Sequence, residues 1–177
     1  MRLRMLVGGI LAGAIAAGAS AHAADLTGVW MVGDGSAKIQ IDNCGGSVWG
    51  VVVWEREPGR DMSNPDPSLR GRPTLGIPIL LGLRESTQQS WQGGPQEIWR
   101  GHVYNAKNGQ TYEVNVKLAS QNVLHLEGCI LGGLFCGGQD WSRVGAPAPV
   151  NASARRNSSK PSSPVCSRVS DLTGRPH

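Results

Sequence analysis

The sequence predicts an all-β domain of about eight antiparallel strands, closed as a barrel or stacked as a sandwich. Three observations carry that prediction. Stretches between Thr27 and Val144 alternate apolar with polar residues or are rich in β-branched and aromatic ones. Gly, Pro, Asn or Asp separates each stretch from the next. No part of this range places apolar residues at convincing helical spacing.

In order, the strands begin with "TGVWMVG", followed by "AKIQID", where Ala37, Ile39 and Ile41 share one face. "NCGGS" is a glycine turn and leads into "SVWGVVVWER". It is not a phosphate loop, because neither a Lys-Ser/Thr pair nor a helix follows it. A proline-rich connection, "DMSNPDPSLRGRP" from Asp61 to Pro73, precedes "IPILLGLR". "EIWRGHVYN" and "QTYEVNVKL" flank "AKNG", whose Asn108-Gly109 pair signals a hairpin. In the second of these, Tyr112, Val114, Val116 and Leu118 fall on one face, while Glu113, Asn115 and Lys117 fall on the other. "NVLHLEG" and "QDWSRV" complete the set. The sequence contains no internal repeat.

The two ends of the chain differ from this domain. Arg2 and Arg4, a short apolar run and the small-x-small site Ala21-His22-Ala23 describe an export signal over residues 1–23, cleaved after Ala23. The run falls short of the roughly 20 apolar residues a membrane-spanning helix needs. The expected location is the periplasm or the exterior. At the other end, residues 145–177 are rich in Ser, Pro and Arg and are read as a disordered basic tail, with at most weak contact to an anionic membrane surface. Of the formal charge of +4, the signal contributes +2 and the tail +4, which leaves −2 on residues 24–144. The basic balance therefore gives no argument for nucleic-acid binding.

Gly28-x-Trp30 opens the domain and Trp141-x-Arg143 ends it. A barrel pairs its first strand with its last, so the Arg143 guanidinium can lie over the Trp30 indole. This pattern resembles the lipocalin-like, or calycin, barrels. A closer resemblance appears in the ordered set Gly28-Val-Trp30, Ile41 with Cys44-Gly45-Gly46, Gly50, and Asp61…Asn64-Pro65-Asp66…Leu69-Arg70-x-Arg72-Pro73…Gly76. It continues through Trp99-x-Gly101-x-x-Tyr104, Gly109-x-Thr111-Tyr112, Gly128-Cys129 and Cys136 to Gln139-x-Trp141-x-Arg143. The chain from Leu26 to about Val144 is similar to the bacterial exported family known as domain of unknown function 2147. Trp49 stands where that family often has a second Cys, and Asn105-Ala106 replace a usual Asp-Pro. The resemblance implies a single up-and-down, lipocalin-like barrel over residues 24–144, in the cell envelope. It implies no activity.

The cysteines suit an oxidising compartment. Cys129 and Cys136 flank "ILGGLF", close enough to bridge a turn, although four cysteines allow three full pairings. Cys44 lacks the partner that Trp49 displaces, and Cys166 in the tail is left free or available for a covalent dimer. No spacing matches a metal site, and no cofactor is expected. His102, His125 and His177 read as ordinary residues, and no Gly-x-Ser-x-Gly or His-Glu-x-x-His motif is present, so no catalytic residue is assigned.

Two readings of the proline loop compete. In the first it is a rigid clasp built by Asp61, Asn64, Pro65, Asp66 and Arg72, with Asp66 paired to Arg70 or Arg72 rather than sharing a proton or cation with Asp61. In the second it is a rim where Arg70 and Arg72 meet an acidic head group. Trp91, Trp99 and Tyr104 are either plain core or the lining of a pocket. The expected function is binding, with a small apolar or lipid-like ligand in the barrel mouth and the protein mostly a monomer. The alternative is an envelope protein-interaction module, an inhibitor or assembly factor, that uses the Asp61–Pro73 end.

Overall fold

Inward residues of the alternating stretches meet around one axis. The computed structural model describes residues 25–89, 94–130, 135–144 and 163–173. The signal segment, Trp91, His177 and the tail stretch 145–162 lie outside the described residues. Eight strands follow in order: β1 (Gly28–Met31), β2 (Ala37–Cys44), β3 (Ser47–Glu55), β4 (Pro78–Gln89), β5 (Pro95–Asn105), β6 (Gln110–Ser120), β7 (Val123–Ile130) and β8 (Phe135–Arg143). Each pairs antiparallel with the next and β8 returns to β1, so the sheet is a closed up-and-down barrel. Ile39 and Ile41 of β2, Leu80 and Leu83 of β4, Val114 and Val116 of β6, and Leu124 and Leu126 of β7 fill the interior. The period of two predicts these inward positions except in β4, where an irregularity at Gly82 (φ +59°) lets Leu80 and Leu83, three residues apart, both face inward.

Closure depends on Arg143. Its register partner on β1 is Trp30, and its guanidinium carbon lies 4.1 Å from the centroid of the Trp30 ring. Its nitrogens donate to the carbonyls of Thr27 (2.5 Å), Asp25 (3.0 Å) and Gln121 (2.8 Å). Gly28 makes room for it. At φ +126° Gly28 occupies a backbone region L side chains avoid, and a Cβ there would meet Arg143 Nη1. The Trp30 indole N–H donates to Leu26 O at 2.9 Å, so this end of the barrel is plugged and its polar groups are satisfied. Arg143→Lys should lower stability by about 1–2 kcal/mol, because an ammonium cannot serve three carbonyls and stack on the indole together. An unchanged urea midpoint for that variant would show that the stack contributes little.

The tail departs from the sequence expectation. Pro164–Thr173 forms a helix, α1, on the outer face of β2 and β3, where Val165, Cys166 and Val169 bury against Cys44, Val51 and Trp49. Ten residues alone would be a marginal helix in water. Here Ser163 caps it, with its hydroxyl accepting from the Cys166 N–H at 3.1 Å, and Pro164 occupies the first turn, where its missing N–H costs nothing. Cys166 is bonded to Cys44, with an S–S distance of 1.99 Å and Cα atoms 5.3 Å apart. That corrects the expectation of an unpartnered Cys44 and a free Cys166, and of disorder throughout 145–177. The cross-link and the buried valines offset the ordering cost that a Ser/Pro/Arg-rich composition suggests. Cys136 is also disulfide-bonded and stands opposite Cys129 in the β7–β8 register. The Cys129 side chain lies outside the described residues.

Candidate ligand-binding site

The end of the barrel opposite the Trp30–Arg143 plug carries the β1–β2 turn, the long β3–β4 connection and the β5–β6 hairpin. A cavity of about 640 Å³ opens there. Ile39, Val52, Ile77, Ile79, Val103 and Trp141 give it apolar walls. Asp34, Glu55, Arg56, Arg60 and Lys107 stand around its mouth. Arg56 donates to the carbonyls of Gly35 (2.8 Å) and Asp34 (3.3 Å), and Arg60 donates to Gly71 O at 2.6 Å. Backbone carbonyls hold these arginines without neutralising them. The combination of an apolar interior and charges of both signs at the lip suits a molecule with a tail and a polar end.

One side of the mouth is built by the proline loop. Its two arms run antiparallel, with Thr74 N–H donating to Gly59 O at 3.1 Å and Asp61 N–H to Arg72 O at 3.0 Å. This pairing brings the Asp61 side chain under the loop, fully buried, against Tyr104 of β5. Tyr104 Oη donates to Asp61 Oδ1 at 2.6 Å, and Asn64 Nδ2 donates to Asp61 Oδ2 at 2.7 Å. Arg72 reaches the same Oδ2 from Nε (3.0 Å) and Nη2 (2.9 Å). Burial by itself would raise the Asp61 carboxyl, but the donors Tyr104, Asn64 and Arg72 outweigh it and hold the group below the usual carboxylate range. Burial, followed by the bond to Asp61, pushes the Tyr104 phenol up to about 12.

The loop also leans on the β5–β6 hairpin. Ser63 Oγ donates to Lys107 O at 3.1 Å. Gly109, at φ +71°, lies so near the Ser63 carbonyl that any Cβ would overlap it. The Asn108-Gly109 pair therefore serves both the hairpin and the seat of the loop.

The clasp is thus centred on Asp61 and not, as the sequence suggests, on Asp66. Asp66 is exposed and caps the short 3₁₀ turn Pro67–Leu69, its Oδ1 accepting from Ser68 N (2.9 Å) and Ser68 Oγ (2.7 Å). These bonds to Ser68 lower its carboxyl. Asn64 accepts from the Asp66 N–H at 2.9 Å, which fixes the Pro65 turn. Of the four residues expected to meet a ligand, Tyr104 lines the cavity, while Arg70, Arg72 and Trp99 do not. Arg70 Nε is engaged by Asn64 O at 2.8 Å, Arg72 by Asp61, and Trp99 is packed in the core. The rim cations are instead Arg56, Arg60 and Lys107. Their place next to the strand ends was the available signal, since residues at the ends of β3 and β5 must edge the mouth. Away from the cavity, His125 Nδ1 lies 2.6 Å from Asp140 Oδ1 on neighbouring positions of β7 and β8. Among the described residues, no group of three or more His, Cys, Asp or Glu could hold a metal ion.

Comparison with known proteins agrees with this architecture. The family model described as "Uncharacterized protein conserved in bacteria (DUF2147)" matches residues 28–143. No curated protein matches the chain. Among solved structures, the chain is similar to protein HP1028 from Helicobacter pylori, described as belonging to the lipocalin family. The identity is 20%, the TM-score is 0.58, and the match covers 70% of this chain and 85% of that one. At that identity the likeness concerns the fold.

Proposed function

The chain belongs to the DUF2147 family, and from that premise we propose that it is an exported carrier holding a small apolar or amphiphilic molecule in the barrel mouth. The observation that carries this reading is the cavity of about 640 Å³, apolar in its walls and charged at its lip. Its size is in the range of sites for small molecules. The Cys44–Cys166 bond supports an oxidising, extracytoplasmic location. Among the described residues no helix is long and apolar enough to cross a membrane. The reading assigns no reaction to the protein.

Native mass spectrometry of protein purified from its own cell envelope tests this proposal. The expected result is a noncovalent adduct that organic solvent releases, and that a Val103→Trp variant lacks because the new ring fills the cavity. An adduct-free protein that also fails to bind long-chain alkyl probes would refute the carrier reading. One observation favours a second reading, docking of an envelope protein. Exposed Val53, Trp54 and Leu75 line a shallow groove with Pro58 and Pro73 beside the mouth. A partner lost from a Trp54→Ser variant that keeps its adduct would identify this as a separate surface.

A further inference from the structure

We infer that the apolar groove beside the mouth is a docking surface for an anionic lipid bilayer, which sets the cavity opening against the membrane. Val53, Trp54 and Leu75 are large apolar residues left exposed where β3 meets the two arms of the proline loop. With Pro58 and Pro73 they form one strip rather than scattered single residues. A contiguous strip of this kind marks a contact surface. Glu55 and Gly59 line both this groove and the large cavity. The first arm of the loop therefore has the ligand space on one side and the strip on the other.

The charges around the strip identify its partner. Lys38 stands opposite Trp54 in the β2–β3 register and holds its Nζ 4.9 Å from the centroid of that ring. Arg60 is paired with Pro73 across the loop arms. Arg168 of α1 reaches Gly76, next to Leu75, where a Cβ would lie 3.3 Å from the guanidinium. None of these three cations forms an ion pair with a described residue. The groove lining itself holds one carboxylate, Glu55, which is bonded to the Thr74 hydroxyl. Residues 24–177 together carry a formal charge of +2, the −2 of the barrel and the +4 of the tail. Indole and aliphatic groups enter the head-group layer of a bilayer, while Lys and Arg beside them meet lipid phosphates. A protein partner accounts for the strip alone. The cationic fringe and the wall shared with the cavity favour a lipid surface.

The test is flotation of the full exported chain with vesicles of phosphatidylethanolamine and phosphatidylglycerol, and with vesicles of phosphatidylcholine alone. Wild type should float with the first and much less with the second, and added salt should weaken the binding. Trp54→Ser combined with Leu75→Ser should weaken it about tenfold, as two apolar side chains are lost from the head-group layer. Lys38→Gln and Arg168→Gln should each cost about fivefold. Lys117→Gln, on β6 across the barrel, should leave binding almost unchanged. In a Trp54→Phe variant that still binds, quenching by brominated acyl chains should fall, which puts the indole in the bilayer whatever the other variants do. Absence of vesicle binding, binding indifferent to Trp54 and Leu75, or Trp54-dependent capture of an envelope protein by a chain that ignores vesicles would each overturn the inference. In those cases a native adduct keeps the carrier reading. A protein that holds no adduct and ignores alkyl probes, yet floats through Trp54, ends the carrier reading and keeps this surface.

Discussion

Asp61→Ala should lower the unfolding free energy by about 3 kcal/mol, whether or not a ligand is present. The carboxylate is fully buried, and its removal strands the Tyr104 hydroxyl proton, leaves Asn64 Nδ2 with only its 3.1 Å bond to Tyr104 Oη, and costs Arg72 its partner. Arg72 is partly exposed and can turn to water, which keeps the loss from being larger. Asp66→Asn is the matched control, five residues away on the same loop but on its outer side, and should shift the urea midpoint far less, because an amide oxygen can still accept from Ser68 in that exposed cap. The pH dependence follows from the directions of the two shifts. Asp61 is held below its ordinary value of about 4, so its contribution is present above that pH and is lost as pH falls through the lowered folded value. The gap between wild type and Asp61→Ala should therefore close in acid. Tyr104 acts at the other extreme. Its contribution is present below about pH 10 and is lost as pH rises through about 12. A midpoint for Asp61→Ala equal to wild type at neutral pH would remove the clasp from the account of stability.

Replacing Cys44 and Cys166 with serine should have a comparable or larger effect. The bond joins residues 122 apart in sequence, and a loop of that length corresponds to about 4–5 kcal/mol of denatured-state entropy. That full amount is seen only if α1 and the barrel unfold together. Should α1 detach first, the barrel midpoint would fall less and amide exchange over residues 164–173 would become fast. Either result supports a helix held by its tether, whereas an unchanged midpoint with α1 still protected would show that Val165 and Val169 suffice. Non-reducing peptide mapping of the wild type should also recover Cys136 joined to Cys129. Cys136 joined to Cys44 or Cys166 would refute that pairing.

The strands were legible in the sequence because a period of two is a local property, written within each stretch. Trp30 and Arg143 were legible for a different reason, since a closing barrel must bring its two ends together. The clasp was only half legible. Asp66 is close in sequence to Arg70 and Arg72 and so looks like their partner, but antiparallel pairing of the loop arms puts Asp61 opposite Arg72. The cavity lining was less legible still, because which inward residues stay uncovered depends on the stagger of all eight strands. The helix left a trace that composition concealed: Ser163-Pro164 is a capping pair, and Val165 and Val169 are one helical turn apart.

The ring joins with very little overlap. β1 meets β8 through only two residue pairs, Trp30 with Arg143 and Met31 with Ser142, whereas β7 meets β8 through eight. The contact from Arg143 back to Thr27 spans 116 residues of chain. Among the strand pairings this one joins the most distant segments and so carries the largest loop-closure cost, and the seam is expected to form late. Until it shuts, the sheet has two raw borders whose amides and carbonyls can pair with any strand that arrives. The same borders reappear whenever Arg143 lets go. A second copy opened in the same way offers a perfect match, so the junction that makes this protein a self-contained ring is also where chains would become entangled with one another.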